Sequence, residues 1–254
     1  MPGTVMSEEN KLTAWDHLAE LRTRLFRIII SLIITTIASF IFAEKLMAFL
    51  AQPIGGLENL VSIEVTENVG VYMKVALLSG VILDFPFILY QLLGFILPGL
   101  LPNERRWVMW SIPLATLFFL SGVAFAFFVM LPTAIPFLIS FTGIRTLPRP
   151  NNYFNFVTGL LFWIGICFET PLIVFVLAKV RIVSASMLAK QWRLALVLIA
   201  VMAAVITPTP DPVNMGLLML PLAVLYLLSI LFAAIARRGS ENKSSEAAAT
   251  GGTV

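Results

Sequence analysis

Two acids in this chain are placed where they could do binding chemistry at a membrane mouth. Glu20 lies within D-H-L-A-E-L-R-T-R-L-F-R (Asp16–Arg27), and Glu104 sits beside Arg105 and Arg106. Both stand next to long apolar runs, on a side otherwise dominated by arginine. Two carboxylates there suit a ligand with paired guanidiniums, because Arg–carboxylate bonds can be bidentate and charge-assisted. Each acid also has a plainer reading. Glu20 precedes Arg24 by one helical turn, the favourable order for an exposed pair, and the stretch around it doubles as a basic anchor that keeps a membrane helix oriented. Glu104 opens the run that follows it, and an acid near a helix N-terminus is favourable in any protein.

Two further acids fall inside apolar runs. Glu169, in F-E-T-P, lies midway through one, where a carboxylate costs a few kcal/mol or more unless it faces a cavity or a partner. It marks either a polar pathway or a hydrogen bond to a neighbouring helix. Asp84 stands two residues before Pro86, whose missing N–H frees a backbone carbonyl, so local polar contacts could absorb it. Lys74, near the start of the same run, is expected to snorkel.

Signatures of enzymes are absent: there is no G-x-x-x-x-G-K-[ST], H-E-x-x-H or G-x-S-x-G, and no Cys/His cluster. The lone histidine, His17, and lone cysteine, Cys167, leave no metal site and no internal disulfide. Neither a catalytic residue nor a cofactor is expected, and the chain reads as a non-enzyme. The bases are scattered between apolar runs, which argues against nucleic acid.

What must position these acids is a set of membrane helices. Of 254 residues 59% are hydrophobic and 12% charged, with a mean hydropathy of +0.95; soluble domains carry about 25% charged residues. The apolar runs predict spans at about Leu25–Ala43, Val71–Leu93, Trp107–Leu131 (continuing past Pro132 to Pro136), Tyr153–Ala178, Leu194–Ile206 and Val213–Ala236. The first is too long for a signal-peptide core and lacks a convincing cleavage site, so it is retained. Glu44–Val69 reads as a loop with short amphipathic helices. Residues 1–12 are a loose polar N-terminus, 13–236 the membrane domain, and 237–254 a Ser/Gly/Ala-rich tail expected to be disordered. Lys11, Arg22, Arg24, Arg27, Arg105, Arg106, Lys179, Arg181, Lys190, Arg193, Arg237, Arg238 and Lys243 fall on one side, against Lys45, Arg145 and Arg149 on the other. Both termini are therefore expected in the cytoplasm. The fifth span, thirteen residues, makes about 20 Å of helix against a hydrocarbon core of roughly 30 Å.

These residues carry a resemblance. H-L-A-E-L-R-T-R-L (His17–Leu25), A-Q-P-I (Ala51–Ile54), P-F-I-L-Y-Q-L-L-G-F-I-L-P-G-L (Pro86–Leu100), N-E-R-R (Asn103–Arg106), F-E-T-P (Phe168–Pro171) and T-P-T-P-D-P (Thr207–Pro212) occur in this order. Together they resemble the TatC family, the receptor subunits of the twin-arginine protein translocase. The resemblance implies an all-α bundle of six spans with a concave face, both termini inside and the last two helices short, in a cell (plasma or inner) membrane. It implies recognition of twin-arginine signal peptides on folded precursors, assembly with TatA- and TatB-type single-span subunits, copies of the chain associated within one complex, and export driven by the proton motive force. It puts Glu20 and Glu104 at the twin arginines, with Arg22, Arg24, Phe95 and Pro98 at receptor motif positions. Pro53 and Asp211 fall in loops of structural or functional weight, and Glu169 is the polar group of the concave face. Asp84 stands where the family has a small neutral residue, so it inherits no role, and the Arg145/Arg149 link has no counterpart. From the residues alone, a proton-coupled transporter of a small solute using Glu169 is the alternative; it would require repeated halves, and no repeat is evident.

Overall fold

The computed structural model describes residues 14–96, 102–140, 147–179, 182–207 and 212–250. Among the described residues every regular element is helical. The first helix, α1 (Ala14–Phe40), has 27 residues and spans about 40 Å, so its first turns extend beyond a hydrocarbon core of about 30 Å. A short α2 (Ala43–Leu50) and two single 3₁₀ turns, Gln52–Ile54 and Leu57–Asn59, follow, as expected for the Glu44–Val69 segment. Pro53 starts the first of these turns. Gly55 and Gly56 close it at φ 89° and 117°, a left-handed backbone that other residues adopt only with strain.

The second long helix, α3 (Glu67–Ile96), keeps Pro86 within its 30 residues. It runs antiparallel to α1, and most contacts of α1 are with it. Four side-chain contacts set the register: Tyr72 Oη donates to the Phe40 carbonyl at 2.7 Å, Ser31 Oγ donates to Asp84 Oδ1, Arg24 reaches Gln91, and His17 stacks on Phe95. Asp84 is thus buried against α1, held by Ser31 across the interface and not by the carbonyl that Pro86 frees; its Oδ2 has no partner. Lipid tails are as apolar as the side chains, so close approach does the work that water exclusion does in soluble proteins. At the crossing, a Cβ on Gly80 would lie 2.8 Å from Thr36 Cα, so the two backbones meet there only because residue 80 is glycine.

The third apolar stretch is continuous helix from α4 (Pro102–Phe125) through a π-helical turn, Ala126–Met130, into α5 (Leu131–Ser140). Pro132 cannot donate to the Phe128 carbonyl, and the widened turn beside it accommodates the lost bond. The fourth stretch is broken. Helix α6 (Pro150–Phe168) ends at Glu169, and α7 (Thr170–Lys179) begins beside Pro171, which has no N–H to continue the ladder. Short α8 (Ala185–Lys190), capped by Ser184 Oγ accepting from Met187 N, leads into α9 (Trp192–Ile206). The last helix is α10 (Pro212–Thr250), whose backbone stays helical across the segment for which composition suggests disorder.

Among the described residues five apolar stretches are long enough to cross a membrane: His17–Phe40, Glu67–Phe95, Ser111–Ser140, Pro150–Lys179 and Met215–Ala236. Helix α9, at 15 residues, is the shorter apolar helix. The expectation of two short helices at the end therefore holds for α9 alone. Met215–Ala236 has 22 residues, about 33 Å of helix, because α10 continues through Pro221 without a break. The core joins Val71, Val75 and Leu78 of α3 to Phe127, Met130 and Leu131, to Phe154, Val157 and Ile164 of α6, and to Leu218, Leu222 and Leu225 of α10. A second, smaller contact packs Ala178 of α7 on Ala233 and Ala236 of α10.

At the end of the bundle away from Glu20, a polar clamp ties the loop before α3 to the start of α6. Arg149 Nη2 donates to Glu64 Oε1 at 2.8 Å and to Glu67 Oε2 at 3.3 Å. Glu67, its side chain 1% exposed, also accepts from the backbone N–H of Asn151 at 2.9 Å and of Ile63 at 3.4 Å. The Glu64 hydrogen bond, then that of Glu67, holds the Arg149 guanidinium above its ordinary value, so it stays charged. This gives Arg149 a place that the sequence leaves open; Arg145 lies outside the described residues. Lys74 does not snorkel outward. Its Nζ turns to α6 and donates to Asn151 Oδ1 and Asn155 Oδ1, 2.7 Å each. Replacing Arg149 by Gln is expected to speed amide exchange of Val61, Ile63 and Asn151 severalfold while leaving α6 beyond Phe156 unchanged, as hydrogen–deuterium exchange would report. Equal protection in both proteins would mean the loop is held by its own turns.

Candidate functional site

The site at the other end is built where the first turns of α1 meet the last turns of α3. Helical spacing puts His17, Glu20 and Arg24 on one face of α1, and that face looks at Gln91, Gly94 and Phe95 of α3. Arg24 Nε and Nη2 both donate to Glu20 Oε1, at 2.9 and 2.6 Å. The other end of the guanidinium reaches across, with Nη1 donating to Gln91 Oε1 at 3.4 Å. Glycine at 94 makes room for it, since a Cβ there would sit 2.5 Å from Nη1. His17 lies flat on the Phe95 ring, centroids 4.2 Å apart at 18°, with Nδ1 3.8 Å from Glu20 Oε2.

Glu20 is therefore not a bare anion awaiting a partner. One of its oxygens is taken by Arg24 and the other is left to His17 and to solvent, the side chain being 28% exposed. A carboxylate offers about four acceptor positions, so a second guanidinium can still dock on Oε2. An open groove of about 350 Å³, lined by Ala19, Glu20, Thr23, Arg24 and Arg27, runs past it. Arg22 points into solvent on another face. The arginines of this stretch thus divide: Arg24 belongs to the acid cluster itself, in line with its one-turn spacing from Glu20, while Arg22 stands apart from it.

Glu104 stands in the first turn of α4, behind Pro102 at the helix start, a position that favours both proline and an acid. Its side chain lies outside the described residues, as do Pro98 and Asp211 entirely. The other candidates are scattered. Pro53 is in the turn at the opposite end, and Asp84 is buried between α1 and α3. Glu169 is 6% exposed at the break between α6 and α7, where Oε1 has no hydrogen-bond partner. Its backbone carbonyl accepts from Leu172 N and Ile173 N, starting α7 anew. Among the described residues no group of three or more His, Cys, Asp or Glu is placed to hold a metal ion.

Sequence reasoning missed His17, Gln91 and Gly94 as members of the site. All three lie within the two longest motifs, so motif membership was the available signal, but nothing in either stretch says that they face each other.

The same two motifs lie inside a longer similarity. Residues 16–221 match the family described as Sec-independent protein translocase protein (TatC). A Sec-independent protein translocase protein TatC of Carboxydothermus hydrogenoformans is 35% identical over 229 residues, covering 89% of this chain and 94% of that one. The chloroplastic TATC protein of Arabidopsis thaliana is 34% identical over 226 residues, covering 87% and 66%. A crystal structure of the twin arginine translocase receptor TatC superposes with a TM-score of 0.77 at 34% identity, covering 87% of this chain and 99% of that one. The α1–α3 pairing that builds the acid cluster, the broken α6–α7 and the short α9 all fall within the matched stretch, and the chain belongs to the TatC family of Sec-independent protein translocase proteins.

Proposed function

We propose that this chain is the receptor of the translocase for twin-arginine signal peptides. The observation that carries the reading is the Glu20 carboxylate, bonded through Oε1 by an Arg24 that Gln91 also holds, and lining an open groove. A guanidinium of the signal peptide binds Oε2, and its neighbour binds Glu104 at the start of α4. Two anions on one side of the membrane select paired arginines over paired lysines, since guanidinium presents a planar fork of N–H donors that ammonium lacks. Phe95, with His17 stacked on it, forms a flat wall of the site, and Arg22 and Pro98 serve receptor function from the same motifs. Pro53 and Asp211 act in the loops at the far end. Glu169 offers its unpaired oxygen to a polar group of a partner helix, and Asp84 braces α1 on α3.

The assembly reading follows from the family and the charge pattern. The chain makes six spans in a plasma membrane, α9 being the fifth, around a concave face. Both termini lie in the cytoplasm, 1–12 and 237–254 forming its soluble ends. It catalyses no reaction; it associates with TatA- and TatB-type subunits and with further copies of itself, and the proton motive force drives transport. Photocrosslinking tests the receptor reading. Probes placed at Glu20 and at Glu104 are expected to label a twin-arginine precursor and to lose most labelling with its twin-lysine version. Equal labelling of both versions would reject it.

A further inference from the structure

A second cavity lies away from the acid cluster, at the Lys74 end of the bundle. It holds about 600 Å³ between Ile54, Ile139, Phe156, Trp163 and Ile206, and Asn155 also lines it. That is the size of a pocket for a drug-sized or lipid-sized ligand. Asn155 links the cavity to a cation, because Lys74 Nζ donates to its Oδ1. Both acceptors of Lys74 are neutral amides, and among the described residues no carboxylate lies within 4 Å of it. The two nearby acids, Glu64 and Glu67, are engaged by Arg149. An ammonium group has three N–H donors, so one remains for a ligand.

The bilayer brings an anion to this level. Helix α9 is about 22 Å long against a core of about 30 Å, a mismatch that local thinning of the leaflet would relieve at its end. Trp192, with the Arg193 guanidinium 5.6 Å from its ring centroid, anchors one end of α9 at an interface. The shortfall therefore falls at the other end, where Val205 and Ile206 line the cavity.

We propose that this cavity is a binding site for an anionic phospholipid, one acyl chain in the apolar chamber and the phosphate on Lys74 and the Asn155 amide. The proposal uses the membrane location of the chain and stands independently of the signal-peptide reading. Gly159 supplies the decisive variant. It lines the cavity, and a Cβ added there meets nothing within 4 Å, so the Gly159→Leu side chain starts from open space and takes up part of the chamber.

The test is native mass spectrometry of the full chain released from mixed micelles of phosphatidylglycerol and phosphatidylcholine in equal amounts. The parent protein is expected to retain one phosphatidylglycerol in preference to phosphatidylcholine. Lys74→Gln should cut that retention about fivefold, the worth of one surface base toward anionic lipid, and Lys74→Arg should keep it. Gly159→Leu should abolish it while the thermal midpoint stays at the parent value. Equal retention of the two lipids, or unchanged retention in Lys74→Gln and Gly159→Leu, would overturn the proposal. So would a Gly159→Leu protein that keeps its lipid but no longer binds a twin-arginine precursor, since the cavity would then belong to the peptide.

Discussion

The Glu20→Ala protein is expected to bind a twin-arginine signal peptide about tenfold to a hundredfold more weakly, and Glu104→Ala to do the same. A hydrogen bond to a charged group is worth about 1.5–3 kcal/mol, and each substitution removes an anion that one guanidinium needs. Glu20→Ala has a second effect, because it leaves Arg24 without its carboxylate at the very place where the peptide's arginine arrives. Two cations then face each other. Glu20→Gln should therefore be nearly as damaging as Glu20→Ala although it keeps the shape of the side chain. Stability should change little, since a half-buried pair one turn apart on a helix is worth at most about 1 kcal/mol. Fluorescence anisotropy with a labelled signal peptide measures the affinity, and a melting curve supplies the control. Were both alanine proteins to bind within twofold of the parent, the two-acid mechanism would fail.

Gly80→Leu is expected to damage the same site from a distance. Gly80 lies at the α1–α3 crossing, where an added Cβ would come within 2.8 Å of Thr36 Cα and 2.9 Å of Thr36 N. Both are backbone atoms and cannot rotate away, so α1 itself must shift. Overpacking of this kind costs about 1–3 kcal/mol. Because α1 leans mainly on α3, the shift carries to its first turns and separates Arg24 from Gln91 and His17 from Phe95. Signal-peptide affinity should drop by about an order of magnitude, the loss of one charge-assisted hydrogen bond, together with a lower melting temperature. Gly159→Leu is the matched control: the same substitution in a helix, meeting open space, should leave both quantities alone. A Gly80→Leu protein that melts earlier but binds normally would show that the acid cluster does not depend on the crossing.

These two predictions divide along the line between what a sequence displays and what it conceals. The acids could be found by reading, because a carboxylate beside an apolar run is conspicuous and costly. Helix α9 was legible as short for a similar reason: T-P-T-P-D-P ends the apolar run at Ile206 whatever surrounds it. Gly80, in contrast, is one glycine among fifteen, and its weight comes only from the Thr36 backbone passing against it. Lys74 likewise reads as a snorkelling base until α6 brings Asn151 and Asn155 within 2.7 Å. Asp84 seemed to need its own proline, yet the partner was Ser31, on another helix.

By itself the sequence determined that the chain is helical and apolar enough to cross a membrane, where the short fifth run ends, and which acids stand beside those apolar runs. Such features follow from local chemistry: hydropathy sums over one stretch, and a proline removes its own N–H wherever it lies. The tertiary structure alone decided which faces meet. Arg24, already paired with Glu20 one turn away, gained Gln91, Arg149 became the clamp on Glu64 and Glu67, and His17 gained Phe95 as its platform. Each of these gained contacts joins residues far apart in the chain, and inside a bilayer no hydrophobic force chooses between apolar faces. The choice is made by close approach at small residues and by the few polar groups that must find one another.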